Sequence, residues 1–123
     1  MFIIPFTAAE ASLSAAGGKG ASLARLVRAG FNVPRGFIIS TAAYRQFVEH
    51  NALESAIWAA LEGLDADDSP AALEAASAAI RAAFAQGVIP PGLREEILQA
   101  YEGLNESAAS KADRSPLKHS ALP

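Results

Sequence analysis

The chain has 123 residues, 51% of them hydrophobic and 19% charged, with a formal net charge of -3. That length allows one domain at most, and a mildly acidic balance with no basic stripe gives nucleic-acid binding no electrostatic support. The absence of cysteine excludes a disulfide framework and thiolate metal sites, and the two histidines, His50 and His119, carry no ligand spacing.

The run Met1 to Phe6 is apolar but lacks a basic leader and contains Pro5, so it does not read as a targeting signal. No stretch approaches the ~20 apolar residues of a membrane span. A soluble, cytoplasmic chain with no membrane partner is expected.

In chain order, Phe2 to Phe6 reads as a short strand of aromatic and β-branched residues, with Pro5 marking an edge or an end. Small and polar residues lead to Gly17-Gly18. From Ala21 to Ala29 the spacing is helical, with Leu23, Leu26 and Val27 on one face and Arg25 and Arg28 on a solvated one. Gly30 stands where a helix end favours a positive φ. Val33 to Gly36 is a connector, Phe37 to Ile39 a second strand, and Ser40 or Thr41 the cap of a helix directing Tyr44, Phe47 and Val48 inward.

Helices dominate from there. Leu53, Ile57 and Leu61 recur at four-residue spacing beside Trp58. Asp65 to Ser69 is a polar break whose three aspartates lack calcium-loop spacing and form a solvated turn. Ser69-Pro70 caps the next helix, with Leu73, Ala76, Ile80 and Phe84 as its stripe and Gly87 as its stop. Pro90-Pro91 opens another, carrying Leu93, Ile97, Tyr101 and Leu104. Tyr44, Phe47, Trp58, Phe84 and Tyr101 all fit core positions at helical spacing. The fold class is α+β, helix-dominated, with two or more short strands and about five helices. Residues 1–104 form the domain; 105–123, small, polar and without periodicity, are expected to be disordered or loosely packed.

The chemically suggestive feature is Gly17-Gly18-Lys19-Gly20 ahead of a helix. Glycines admit an anion close to backbone N–H groups, a helix N-terminus adds about half a positive charge, and Lys19 can set an ammonium on a phosphate oxygen. It is not a P-loop: Leu13 stands where Walker A needs glycine, and Gly20 where it needs Ser or Thr. Nor is it a dinucleotide fingerprint, since Leu23 holds the third glycine position. Spacing alone leaves two readings, a phosphate cradle and a flexible turn with a solvated lysine, and favours the second.

A longer pattern changes the balance. The ungapped run from Gly17 to Thr41, continued by Ala43-Tyr44, resembles the N-terminal signature of the pyruvate phosphate dikinase ATP-binding domain, a family that includes phosphoenolpyruvate synthase and rifampin phosphotransferase. Ile89 to Ile97, with Ala100-Tyr101, resembles a later helix of the same family, so the likeness covers residues 2–104. The resemblance implies the N-terminal subdomain of an ATP-grasp-like domain that binds ATP with Mg²⁺. Gly17, Gly18, Lys19 and Gly20 take the position of the family's phosphate-binding turn. In the full enzymes the phosphate passes to a histidine on another domain, then to pyruvate or another acceptor.

The pattern breaks after Leu104. The family continues into a strand with a Val-Arg-Ser-Ser type motif, of which Arg114-Ser115 is a faint echo followed by Pro116. The second lobe with its metal-binding carboxylates, and the phosphohistidine domain, have no counterpart in the chain. A chain truncated, or frameshifted into a non-native tail after residue 104, inactive alone and complemented by the remainder as a separate polypeptide, is one expectation. The alternative is a helical protein-interaction module working through apolar surface that the missing lobe leaves bare.

Overall fold

The protein's structure, a computed structural model, describes residues 2–8 and 11–114, with 107–114 described by backbone alone. Ile3-Ile4-Pro5 and Phe37-Ile38-Ile39 form the strands β1 (Ile3–Pro5) and β2 (Phe37–Ile39), paired antiparallel with Ile4 opposite Ile38. Side chains alternate across a strand, so Ile4 and Ile38 point to one face together and Ile3 and Ile39 to the other. The first face is the core: Ile4 and Ile38 are buried with Ala11 and Ala24, and Phe6, Ala15 and Ala16 pack around them.

Helix α1 (Leu13–Arg28) covers that face. Ala16, Gly20 and Ala24 recur every four residues on one side of it, which lets its backbone lie close to the sheet. A Cβ at Gly20 would stand 3.2 Å from two carbons of Ile38 and 3.1 Å from the Ala16 methyl, so this glycine seats the core isoleucine. At its end, Gly30 takes φ 86°, with bonds from Gly30 N to Val27 O and from Phe31 N to Leu26 O. That pair of bonds is the Schellman closure that a glycine after the helix permits.

Helices α2 (Thr41–His50), α3 (Leu53–Leu61), α4 (Pro70–Gln86) and α5 (Pro91–Arg114) follow, giving five helices and two strands among the described residues. The α+β, helix-dominated class is as expected. Ser40, not Thr41, caps α2, its Oγ accepting from Ala43 N; Ser69 does the same for α4 through Ala72 N, with Pro70 at the first helical position. Asp65 and Asp68 close a turn on themselves, with Asp65 N donating to Asp68 Oδ2 at 2.6 Å. Asn51, ending α2, clasps the connector between α4 and α5: its Nδ2 donates to Val88 O and its Oδ1 accepts from Val88 N.

Three expectations are corrected. Helix α1 begins at Leu13 rather than Ala21, because Ser12 caps it eight residues earlier, accepting from Ala15 N and, through its carbonyl, from Ala16 N. Helix α5 runs ten residues past Leu104 to Arg114, since Ala108, Ala109, Lys111 and Ala112 favour helix without any apolar periodicity. Residues 115–123, also predicted to be loose, lie outside the described residues. Finally, Tyr44, Trp58 and Tyr101 are not core: they are 58%, 66% and 58% exposed. Helical spacing puts them on stripes, but the described residues leave those stripes largely uncovered.

Among the described residues one non-glycine position is strained. Ala52, between α2 and α3, takes φ 49°, ψ 37°, the left-handed region that disfavours a Cβ. That conformation costs a non-glycine residue about 1–2 kcal/mol, of which glycine's extra freedom in the unfolded chain takes back about 0.5–1. Ala52→Gly is therefore expected to raise the thermal unfolding midpoint by roughly 2–6 °C. A lowered midpoint in a calorimetric scan would contradict this.

Candidate phosphate-binding turn

Ser12 caps a first helical turn, Leu13 to Ala16, and the chain then leaves the helical path at Gly17, which has φ 70° and ψ 173°. Only glycine occupies that region without strain. Helical geometry resumes immediately, so Gly17 divides α1 into a single turn and a longer helix. The glycine pair therefore interrupts a helix instead of preceding one.

A helix that restarts has a fresh N-terminus, whose first amides have no carbonyl one turn behind them. Here the first residues of the restarted helix are Gly18 and Lys19. Open space surrounds the positions a Cβ would take at Gly17 and Gly18, so an incoming anion can approach the backbone closely. Lys19 is exposed, and among the described residues it forms no ion pair; the pair that Arg81 makes with Glu74, at 2.7 Å, lies on α4. A restarted helix N-terminus with an exposed lysine in its first turn combines a helix dipole and a positive charge, which is the chemistry an oxyanion requires.

The four residues predicted for this turn divide by role. Gly17 makes the break, Gly18 and Lys19 stand exposed beyond it, and Gly20 is buried against Ile38, where its missing side chain serves packing. Two contacts, missed in the sequence because they join distant residues, hold the break from both sides. Before it, Thr41 Oγ1 donates to Ser14 O at 2.7 Å; after it, Gly20 rests on Ile38. Both partners come from the junction of β2 with α2.

Among the described residues no three His, Asp or Glu side chains converge as metal ligands. The aromatic residues gather elsewhere. Tyr44 stacks on Phe84 with centroids 6.1 Å apart and planes 17° apart, and Phe47 meets Phe84 at the same distance with a 33° tilt. They line an apolar groove of about 400 Å³ with Ile39, Ile89, Leu93 and Ile97, which includes none of the glycine-turn residues.

The family model described as the pyruvate phosphate dikinase AMP/ATP-binding domain matches residues 13–121. The chain belongs to this family. The match begins at the first residue of α1, takes in the whole glycine turn, and extends past residue 104, where the resemblance in the sequence weakens. Among its relatives is the phosphoenolpyruvate synthase of Aeropyrum pernix, 35% identical over 105 residues, which make up 85% of this chain and 13% of that protein. The probable phosphoenolpyruvate synthase of Methanocaldococcus jannaschii is 42% identical over 91 residues, 74% of this chain and 8% of that protein. For the phosphoenolpyruvate synthase of Pseudomonas aeruginosa the figures are 41% over 92 residues, 72% and 12%. The chain thus spans about an eighth or less of the length of these members of the pyruvate phosphate dikinase family.

Proposed function

We propose that Gly17, Gly18, Lys19 and Gly20 form one side of an ATP phosphate site. The observation that carries this reading is the break at Gly17, which starts a helix at the position where the chain places two glycines and an exposed lysine. Membership of a family described by AMP and ATP binding supplies the ligand class. The amides of Gly18 and Lys19 would donate to phosphate oxygens, and the Lys19 ammonium would neutralise charge on them. The described residues hold no ligand cluster for Mg²⁺, so the metal enters this reading only as an ion carried by the nucleotide.

The larger reaction proposed is phosphoryl transfer from ATP to pyruvate or another acceptor through a phosphohistidine, on an ATP-grasp-like scaffold in the cytoplasm. Among the described residues no helix is long and apolar enough to cross a membrane. Phosphoryl transfer requires cations, metal and a positioned nucleophile converging on the γ-phosphate. One lysine and two amides bind and orient, and the rest would come from the further length that the relatives possess. This chain alone is therefore proposed to bind without turning over.

Titration calorimetry with ATP and Mg²⁺ tests the reading. A charge-assisted contact of this kind contributes about 1.5–3 kcal/mol, so Lys19→Ala is expected to weaken binding roughly 10- to 150-fold. The folded state should be unchanged, because Lys19 is exposed and no partner is lost. Equal affinity in the two proteins would remove Lys19 from the site. A second reading, a helical interaction module, is favoured by the exposure of Tyr44, Ile39 and Ile89 along the apolar groove. Self-association or partner capture that ignores nucleotide would support it.

A further inference from the structure

We propose that Thr41 is a positioning residue of the phosphate turn. Its hydroxyl holds the Ser14 carbonyl and thereby keeps the break at Gly17 open. In an uninterrupted helix the Ser14 carbonyl would accept from the N–H four residues on, that of Gly18. In this protein the non-helical Gly17, at φ 70° and ψ 173°, turns the Gly18 amide off that path, and the Ser14 carbonyl accepts from Thr41 Oγ1 at 2.7 Å, across 27 residues of sequence. The threonine hydroxyl thus stands in for the Gly18 amide, and the amide is left for a ligand.

Thr41 has no competing duty in its own helix. The cap of α2 is made by the preceding residue, Ser40, whose Oγ already accepts from Ala43 N. A hydroxyl at position 41 adds nothing to that cap, so its contact with Ser14 is its own. The same junction of β2 and α2 contributes Ile38, which packs under Gly20. The segment Ile38–Thr41 therefore grips α1 three residues before Gly17 and three residues after it. With both sides fixed, closing the break would require either the Thr41 bond or the Gly20 packing to give way.

The role assigned to the freed amide rests on the phosphate reading above, so two measurements separate the proposals. The first needs no nucleotide. Amide shifts and hydrogen exchange are followed by NMR in the wild type, Thr41→Val and Thr41→Ser. Valine keeps the shape and loses the hydroxyl, whereas serine restores it. In Thr41→Val the Gly18 amide is expected to exchange at least several-fold more slowly, as it takes the vacated Ser14 carbonyl, and the shifts of Gly17 to Lys19 should move. Thr41→Ser should match the wild type. Unchanged shifts and exchange at these residues in a folded Thr41→Val protein would overturn the positioning role.

The second measurement is calorimetry with ATP and Mg²⁺ on the same three proteins. Thr41→Val is expected to bind about tenfold more weakly, with Thr41→Ser within twofold of the wild type. Retained affinity in Thr41→Val alongside altered Gly18 exchange would overturn the claim that the break serves the ligand. Absence of ATP binding by the wild type would sink the phosphate reading, while the exchange data would still decide whether Thr41 holds the turn.

Discussion

Ile4→Ala is expected to cost about 2–5 kcal/mol and to lower the thermal midpoint by roughly 10–20 °C. Ile4 is 2% exposed, stands opposite Ile38 in the strand register, and is the largest fully buried side chain among the described residues. The residues buried with these two are alanines, which offer few atoms to move into a cavity. Truncation would then leave most of the lost volume empty, and cavity volume is what sets such costs within their range. A domain of this size has a total stability of about 5–15 kcal/mol, so a substantial part of it depends on one side chain. Ile39→Ala is the control. It lies one residue along β2 on the opposite face and is 52% exposed, so its truncation should cost less than about 1 kcal/mol. Equal shifts in the two variants, read from denaturation curves, would show that the core does not lie between the sheet and α1.

This asymmetry explains which parts of the fold were legible in the sequence. Phe37 to Ile39 was readable because three large apolar residues stand between a connector and a serine. Gly30 and Ser69-Pro70 were readable because their conformational preferences act locally, whatever the rest of the chain does. Tyr44, Trp58 and Tyr101 misled for the complementary reason. Spacing shows which side chains share a stripe, but burial requires an opposing surface that covers the whole side chain, and these three are left more than half exposed. The first turn of α1 was hidden because Ala15 and Ala16 carry no periodic signal, and the continuation of α5 because its alanines favour helix without marking a face. Asn51 and Thr41 act on partners 37 and 27 residues away, at distances no local pattern encodes.

The candidate site follows the same division. Gly17, Gly18 and Lys19 were visible as residue types suited to a phosphate, and the family pattern around them gave the position its meaning. Their geometry was not visible, because it depends on a helix continuing on both sides of Gly17. Gly20 illustrates the difference: its type suggested backbone access for a ligand, whereas its surroundings make it the seat of Ile38.

Gly17→Ala tests whether the break itself is the functional element. Alanine at φ 70°, ψ 173° carries a penalty of about 1–3 kcal/mol. Straightening the helix would relieve that penalty, and alanine is a better helix former than glycine by about 1 kcal/mol. Straightening, however, moves Ser14 and Gly20 relative to each other, and both are held by the Ile38–Thr41 segment. The substitution must therefore either keep the strain or break one of those contacts. Either way the variant is expected to lose stability, by about 1–3 kcal/mol in a denaturation experiment, and to bind ATP at least tenfold more weakly. Lys19→Ala should weaken binding while leaving stability as it was, because it removes a charge without touching the backbone. The pair of variants thus separates the scaffold of the site from its charge. A Gly17→Ala protein as stable as the wild type and equally able to bind ATP would mean that the break is incidental, and that the lysine alone makes the phosphate contact.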